Sequence, residues 1–314
     1  MTILHREVAT KALHNSADRY TEPACHPGTR REILQRLSLW AGHPKSPPIQ
    51  WLSGSAGVGK TAIAQTFAGN CKNDGVLGAA FFFRRGHPTD GSWRHLFPTI
   101  SYQLANSFKE LLLPIQQAMD NDRTVVNLAM TTQFQRLIVD PFRKMPAPSP
   151  RPIIVLDGLD ECEDRQRQQQ ILRLFIKAIR TGQLPVRLLI ASRPERLIQE
   201  LLNAPDIRDA ICQELVVAED HEADIRKYLK DEFSRIDSRC TAAAIGVGPD
   251  WPSRSPQVLE EVVRRSSGIF IYAKTIIQYM EDDFSPPSSL LKKVLDLDPK
   301  STAPLDDLYN QVLS

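Results

Sequence analysis

The sequence has no long apolar run, no charge of one sign in excess and no clustering of its cysteines. Its longest apolar stretch, Val76 to Phe83 broken only by Gly78, is far short of the roughly 20 residues a membrane helix needs. Charge and histidine run through the N-terminal stretch MTILHREVATKALHNSADRY without an apolar h-region, which argues against a signal peptide. Lysine and arginine number 39 against 37 acidic residues, a net charge of +2, so electrostatics gives no case for nucleic acid as the main partner. Cys25, Cys71, Cys162, Cys212 and Cys240 form no C-x-x-C pair, and no histidine stands at zinc-ligand spacing. That argues against a disulfide framework or metal site, and points to free thiols in a reducing cytosol. The length of 314 residues predicts about two domains.

What is present is a phosphate-binding loop. Gln50 to Phe67 passes from a short apolar run through a glycine-rich loop into a helical pattern. Gly54, Gly59, Lys60 and Thr61 fit G-x-x-x-x-G-K-[ST], with Gly57 an additional glycine. Chance places these four residues in about one chain in a hundred of this length. Glycines remove the Cβ atoms that would hold backbone N–H groups away from a phosphate, so Gly54, Ser55, Ala56, Gly57, Val58 and Gly59 can form an anion nest. Lys60 can reach the β- and γ-phosphates, the Thr61 hydroxyl can ligate Mg²⁺, and the helix beginning near Lys60 adds its positive dipole end. A glycine-rich turn with an incidental Lys-Thr is the plainer alternative, and the strand before and helix after weigh against it.

Short buried-strand patterns alternate with helical ones from Pro48 to about Val217, the signature of a parallel α/β sheet. Strands are predicted at Ile49–Leu52, Leu77–Phe83, Pro152–Leu156, Val186–Ala191 and Leu215–Val217. Helices are predicted from Thr29 as cap through Trp40, at Lys60–Asn70, within Trp93–Leu111, around Phe134–Ile138 ending at Pro141, and at Gln166–Ile179. Met145–Pro150 reads as a proline-rich loop, and residues 1–28 as a lead-in. Beyond Glu219 only helical patterns remain, interrupted by breaks at Gly246–Pro256 and Ser285–Ser289. Leu305–Leu313 reads as a helix without a natural end, which predicts that the chain continues. These shifts divide the sequence into a lead-in and helix (1–44), a nucleotide-binding P-loop domain (45–218), a helical domain (219–303) and the start of a further segment (304–314).

The second half of the site is IIVLDGLDE, where an apolar strand delivers Asp157 to the sheet edge at which α/β proteins bind ligands. Asp157 is the expected Mg²⁺ partner. Asp160 and Glu161 are candidates to orient or deprotonate the attacking water, although one of them can equally be a turn or capping residue. Arg193 ends the fourth strand, where a guanidinium can sense the γ-phosphate, unless it caps a helix or pairs with Glu161 or Glu195. Arg84 and Arg85 end the second strand in the same way. The guanine-reading N-K-x-D pattern is absent, the nearest string being Asn70-Cys71-Lys72-Asn73-Asp74, and this favours ATP over GTP.

Together these residues resemble the NACHT-type signal-transducing ATPases of the STAND class, most closely the fungal proteins related to NOD-like receptors and of nephrocystin-3-like N-terminal type. The resemblance rests on CHPGTRREIL (25–34), WLSGSAGVGKTAIAQ (51–65), GAAFFFRRG (78–86), IIVLDGLDEC (153–162), LLIASRPE (188–195), DIRKYL (224–229), GIFIYAKTII (268–277) and LDDLY (305–309). It implies an α/β P-loop NTPase fold with a parallel sheet ordered 5-1-4-3-2 and a small helical domain closing over the nucleotide. It also implies that the turn from His26 through Pro27 to Arg30 helps hold adenine. Plant and apoptotic relatives carry Gly-Leu-Pro where the helical domain meets adenine, and Gly268-Ile269-Phe270 stands there in this chain.

The expected function is an ATP-binding switch with slow Mg²⁺-dependent hydrolysis. In it, ADP holds a resting form and ATP permits homo-oligomerisation, with effector or repeat domains outside this chain and neither nucleic acid nor membrane as partner. A P-loop phosphotransferase acting on a small molecule, and a nucleotide-binding scaffold that never hydrolyses, are the alternatives.

Overall fold

The computed structural model describes residues 1–16, 24–145, 148, 150–216, 222–242, 248, 250–281, 285–297 and 304–313. Contacts divide the chain into two compact units. The first comprises Met1–Cys25, Arg31–Gly54 and Lys60–Leu215. The second comprises His26–Arg30, Ser55–Gly59 and Val216–Ser314.

In chain order the first unit carries α1 (Thr2–Arg6), a 3-10 turn at Thr10–Ala12, α2 (Arg31–Gly42), β1 (Ile49–Gly54), α3 (Lys60–Asn73) and β2 (Leu77–Phe82). It continues through α4 (Leu96–Ser107), α5 (Lys109–Asn121), α6 (Met130–Phe134), a π turn at Gln135–Val139, α7 (Asp140–Arg143), β3 (Ile153–Asp157), α8 (Arg165–Arg180), β4 (Arg187–Ser192) and α9 (Arg196–Leu202). β5 (Ile211–Val216) closes the set. The strands form one five-stranded sheet in the order β2-β3-β4-β1-β5, which is the 5-1-4-3-2 arrangement read from its other edge. The pairings β1–β4, β3–β4 and β2–β3 are parallel.

Every residue of β1, β2, β3 and β4 is buried, as expected of strands covered on both faces, and this explains their near-continuous apolar sequence. β5 is the exception: most of it is exposed or half-buried, and Glu214 there receives Arg36 of α2 in an ion pair at 2.7 Å. Charge on an edge strand discourages pairing with another chain. The core of this unit joins the sheet to Phe97, Phe134 and Phe175, whose rings meet at 5.1–6.1 Å.

The second unit is helical: α10 (Glu222–Ala242), α11 (Pro256–Ser266), α12 (Phe270–Met280), α13 (Pro287–Leu295) and α14 (Pro304–Leu313). Its core gathers Ile225, Leu229 and Phe233 of α10 with Val262 of α11, Ile276 of α12, Val294 of α13 and Leu308 of α14. Trp251 is buried edge-on to Phe233 and donates to its carbonyl at 3.0 Å.

Several expectations need correction. Thr29 does not cap α2; its hydroxyl donates to His26 O at 2.7 Å and closes the preceding turn. The helix around Phe134 runs past Pro141, because the π turn places Pro141 in the first turn of α7, where a missing N–H costs nothing. The break at Ser285–Ser289 holds for Ser285 and Pro286, between α12 and α13, but α13 begins within it, with Pro287 in its first turn. β5 begins at Ile211, not Leu215, and α9 precedes it. Of the lead-in, Leu4, Ala9 and Ala12 are fully buried in the first core. Val217, the boundary at 218–219, and parts of the loops Met145–Pro150 and Gly246–Pro256 lie outside the described residues.

Candidate functional site

Strand register brings the first unit's chemistry to one edge. Asp157 pairs with Ala191 and Ala191 with Leu52, so the C-terminal ends of β3, β4 and β1 lie side by side. They deliver Asp157, Arg193 and the start of the phosphate loop to neighbouring positions. Asp157 is 3% exposed. Lys60, the first residue of α3, donates from Nζ to Gly54 O at 2.8 Å. Desolvation pulls the Lys60 ammonium below its ordinary pKa, opposed by the negative charge of Asp160 and then Asp157. Arg193 adds to the lowering and Glu161 again opposes it. Lys60 therefore feels all four charged side chains singled out at the ends of β3 and β4.

After β3 the chain turns through Gly158 into a 3-10 turn at Leu159–Glu161. Gly158 N–H donates to Ala191 O at 2.9 Å, which ties the turn to β4. Asp160 is buried and engaged on both oxygens: Oδ1 accepts the Arg193 backbone N–H at 3.0 Å and Oδ2 lies 3.3 Å from Arg193 Nε. The ion pair left open for Arg193 thus forms with Asp160, not with Glu161 or Glu195. Glu161 is half-buried, and its Oε2 accepts from the Arg85 N–H at 3.3 Å.

Asp90 and Gln168 carry structure around this edge that the sequence reading did not assign, and Arg85, read there as ending β2 in the manner of Arg193, contributes to it as well. Arg85 Nη2 donates to Asp160 O at 3.0 Å, and Gln168 Nε2 reaches the carbonyls of Asp160 (3.3 Å) and Cys162 (2.8 Å). Asp90 is fully buried, with Arg84 and His87 each 3.7 Å from its carboxylate. Gln168 was within reach of the sequence, since it shares helical spacing with the buried Ile171, Leu172 and Phe175. A polar residue in an apolar stripe asks for a buried partner.

In the second unit the turn 26–30 and the loop 55–59 pack with the helices. Arg30, 5% exposed and in the left-handed region at φ 57°, donates from Nη2 to Val58 O and from its backbone N–H to Asp224 Oδ2 at 2.9 Å. Its guanidinium lies 4.6 Å from the Phe270 ring centroid, a cation–π contact. His26 Nε2 meets Asp231 Oδ2 at 2.8 Å, and its ring stands edge-on to Tyr228 at 5.3 Å. Pro27 is exposed. Within the loop Ser55 and Ala56 are exposed, Gly57 and Gly59 half-buried, and Val58 fully buried. Gly57 has φ +77° and Gly59 φ +96°, the left-handed backbone a nest of N–H groups requires. A Cβ on Gly57 would fall 2.6 Å from Ile271 Cγ2, and Ile271 N–H donates to Gly57 O at 3.3 Å.

This donor set fits a magnesium nucleoside triphosphate. Within the first unit it offers a partly desolvated ammonium at Lys60, one hydroxyl at Thr61 and one buried carboxylate at Asp157. Among the described residues no three His, Cys, Asp or Glu side chains converge on a metal position. Mg²⁺ typically takes one or two protein oxygens and fills its shell with phosphate and water.

The fold and this edge define a parallel α/β protein with a phosphate-loop motif between β1 and α3. Residues 28–193 match the family model described as nephrocystin 3, N-terminal, and the chain belongs to that family. A comparison with curated proteins returns no match. Among solved structures, PCH-2 of C. elegans aligns at 14% identity with a TM-score of 0.42, covering 95% of this chain and 73% of its own. Likeness at that level has no bearing on function. Among the described residues no helix is long and apolar enough to cross a membrane.

Proposed function

We propose that the chain is an ATP-binding molecular switch of NACHT type, with slow Mg²⁺-dependent hydrolysis governing conformational change and self-association. The observation that carries this reading is the gathering of Lys60, Asp157, Asp160, Glu161 and Arg193 at the C-terminal edge of β1, β3 and β4. In it, backbone N–H groups from Gly54 to Gly59 and the Lys60 ammonium receive the phosphates. Thr61 and Asp157 hold Mg²⁺, which neutralises phosphate charge when bound. Asp160, Glu161 and Arg193 serve hydrolysis and sensing of the γ-phosphate, and His26, Pro27 and Arg30 lie in the turn assigned to the base.

The domain reading that accompanies it is a nucleotide-binding domain at 45–218 preceded by the segment 1–44, a helical domain at 219–303, and a further segment from 304. A cytoplasmic site, homo-oligomerisation with ATP, effectors outside this chain and a role in fungal immunity-like or cell-death signalling follow from the NACHT resemblance described above.

Calorimetric titration of the purified chain with ATP and Mg²⁺, against the variant Lys60→Ala, tests the assignment. Saturable binding that weakens by about tenfold or more in the variant is expected, because a charge-assisted contact to phosphate is lost. Equal affinity in the two proteins would contradict the placement of phosphate on Lys60.

A further inference from the structure

The two acidic residues that follow Asp157 are not equivalent. Asp160 is 2% exposed, and both of its carboxylate oxygens are directed to a single residue, the backbone N–H and the Nε of Arg193. Its own carbonyl is fixed by Arg85 Nη2 and Gln168 Nε2. Nothing in this arrangement resembles a general base, which needs an oxygen open to the proton it takes. Glu161 is half-buried, and among the described residues its carboxylate carries one partner, the Arg85 N–H on Oε2.

Arg193 shows the complementary pattern. Its Nε lies 3.3 Å from Asp160 Oδ2 in an ion pair, while its side chain is 48% exposed. Among the described residues no partner engages either of its Nη groups. A guanidinium ion-paired at Nε keeps the planar fork of its two Nη groups for an external oxyanion, and that fork matches phosphate in a bidentate manner.

From this we infer that Asp160 is a positioning residue that presents the Arg193 fork to the terminal phosphate, and that Glu161 alone is the water-activating carboxylate. The inference rests on the nucleotide-switch reading above and deepens it by dividing recognition from hydrolysis. Asp160 and Arg193 set how well a triphosphate is told from a diphosphate. Glu161 sets whether the triphosphate is cleaved. In cleavage, a water oxygen attacks the γ-phosphorus as the bond to the β-γ bridging oxygen breaks; the water proton passes to Glu161, and ADP and inorganic phosphate leave.

The substitution Asp160→Asn keeps the shape and an acceptor for the Arg193 backbone N–H but removes the negative charge that faces Arg193 Nε. The experiment measures affinities for ADP and for a non-hydrolysable ATP analogue, and phosphate release from ATP, in the wild type, Asp160→Asn, Arg193→Ala, the double variant and Glu161→Gln. Melting curves report folding. Asp160→Asn is expected to weaken the analogue by about tenfold, the loss of the charge that orients the Arg193 fork, with ADP affinity changed less than about twofold. The double variant should be no weaker than Arg193→Ala alone, because the two residues act as a unit. Glu161→Gln should leave both affinities in place and remove phosphate release.

A second readout is independent of turnover. The Arg193 backbone N–H, which donates to Asp160 Oδ1 at 3.0 Å, should be exchange-protected in nucleotide-free wild type and lose that protection in Asp160→Ala. The proposal is overturned if Asp160→Asn abolishes release while keeping the wild-type ratio of analogue to ADP affinity, which would make Asp160 the base. Equal weakening of both nucleotides together with a lower melting temperature overturns it too, leaving Asp160 a purely structural residue. If the wild type binds neither nucleotide, the switch reading itself fails, and that outcome is distinct from any difference among the variants.

Discussion

At the scale of single residues, the phosphate loop is constrained by what surrounds it as much as by what it is assigned to bind. Gly57 sits at φ +77°, and an added Cβ would meet Ile271 Cγ2 at 2.6 Å and Ile269 Cγ2 at 3.0 Å. Both neighbours are β-branched, so their methyl groups cannot swing aside as a long side chain does. Gly57→Ala is therefore expected to destabilise the protein by about 1–3 kcal/mol, from the left-handed backbone and the overlap together. A thermal melt of the nucleotide-free protein measures this, and an unchanged melting temperature would contradict the packing described. Much of the site was legible at this scale. Gly54, Lys60, Thr61, Asp157 and Arg193 declared themselves through motif and strand position. The pairing of Asp160 with Arg193 did not, because 33 positions separate them and only the adjacency of β3 and β4 brings them together. Arg30 was legible only by resemblance, and its contacts to Val58, Asp224 and Phe270 are tertiary facts that no local pattern encodes.

At the scale of elements, buried strands and amphipathic helices were readable because their periodicity comes from burial itself. One error lies where proline was taken to end a helix. Pro141 instead stands in a first turn, where the ring costs no hydrogen bond. Element ends also carry charge chemistry that titrates. On α11, Glu261 accepts from Arg264 and Arg265, and these hydrogen bonds hold its carboxyl down at about 2, against an ordinary 4.5. Arg265 in turn donates to the carbonyls of Val294, Leu295 and Leu297 at the end of α13. A carboxyl depressed in the folded state contributes stability above its unfolded pKa and loses it as pH falls through the folded value. The contribution of Glu261 is thus present at neutral pH and fades between about pH 4.5 and 2. Melting temperatures of wild type and Glu261→Gln should differ at pH 7 and converge toward pH 2. A gap that stays constant with pH would show that the Arg264 and Arg265 contacts do not stabilise the fold.

At the scale of the whole molecule, the strand order β2-β3-β4-β1-β5 is the feature on which the functional reading turns. It sets the ends of β3 and β4 beside the end of β1, so that a lysine, three carboxylates and an arginine from distant stretches share one edge. The order itself was accessible from sequence only through resemblance, since strand periodicity says which residues are buried but not which strands are neighbours. The helical unit was visible as the loss of strand patterns. The grouping of His26–Arg30 and Ser55–Gly59 with it was not, because those short segments lie far from it in sequence.

The switch reading requires that the triphosphate and the diphosphate stabilise different states, and a ligand that binds two states equally shifts nothing. The most direct measurement is the molecular mass of the purified chain in solution, by light scattering after size exclusion, with Mg²⁺ and saturating ADP and then with a non-hydrolysable ATP analogue. The account predicts a monomer with ADP and a larger assembly with the analogue, abolished by Lys60→Ala. The same mass with either nucleotide, both shown to be bound, would contradict it.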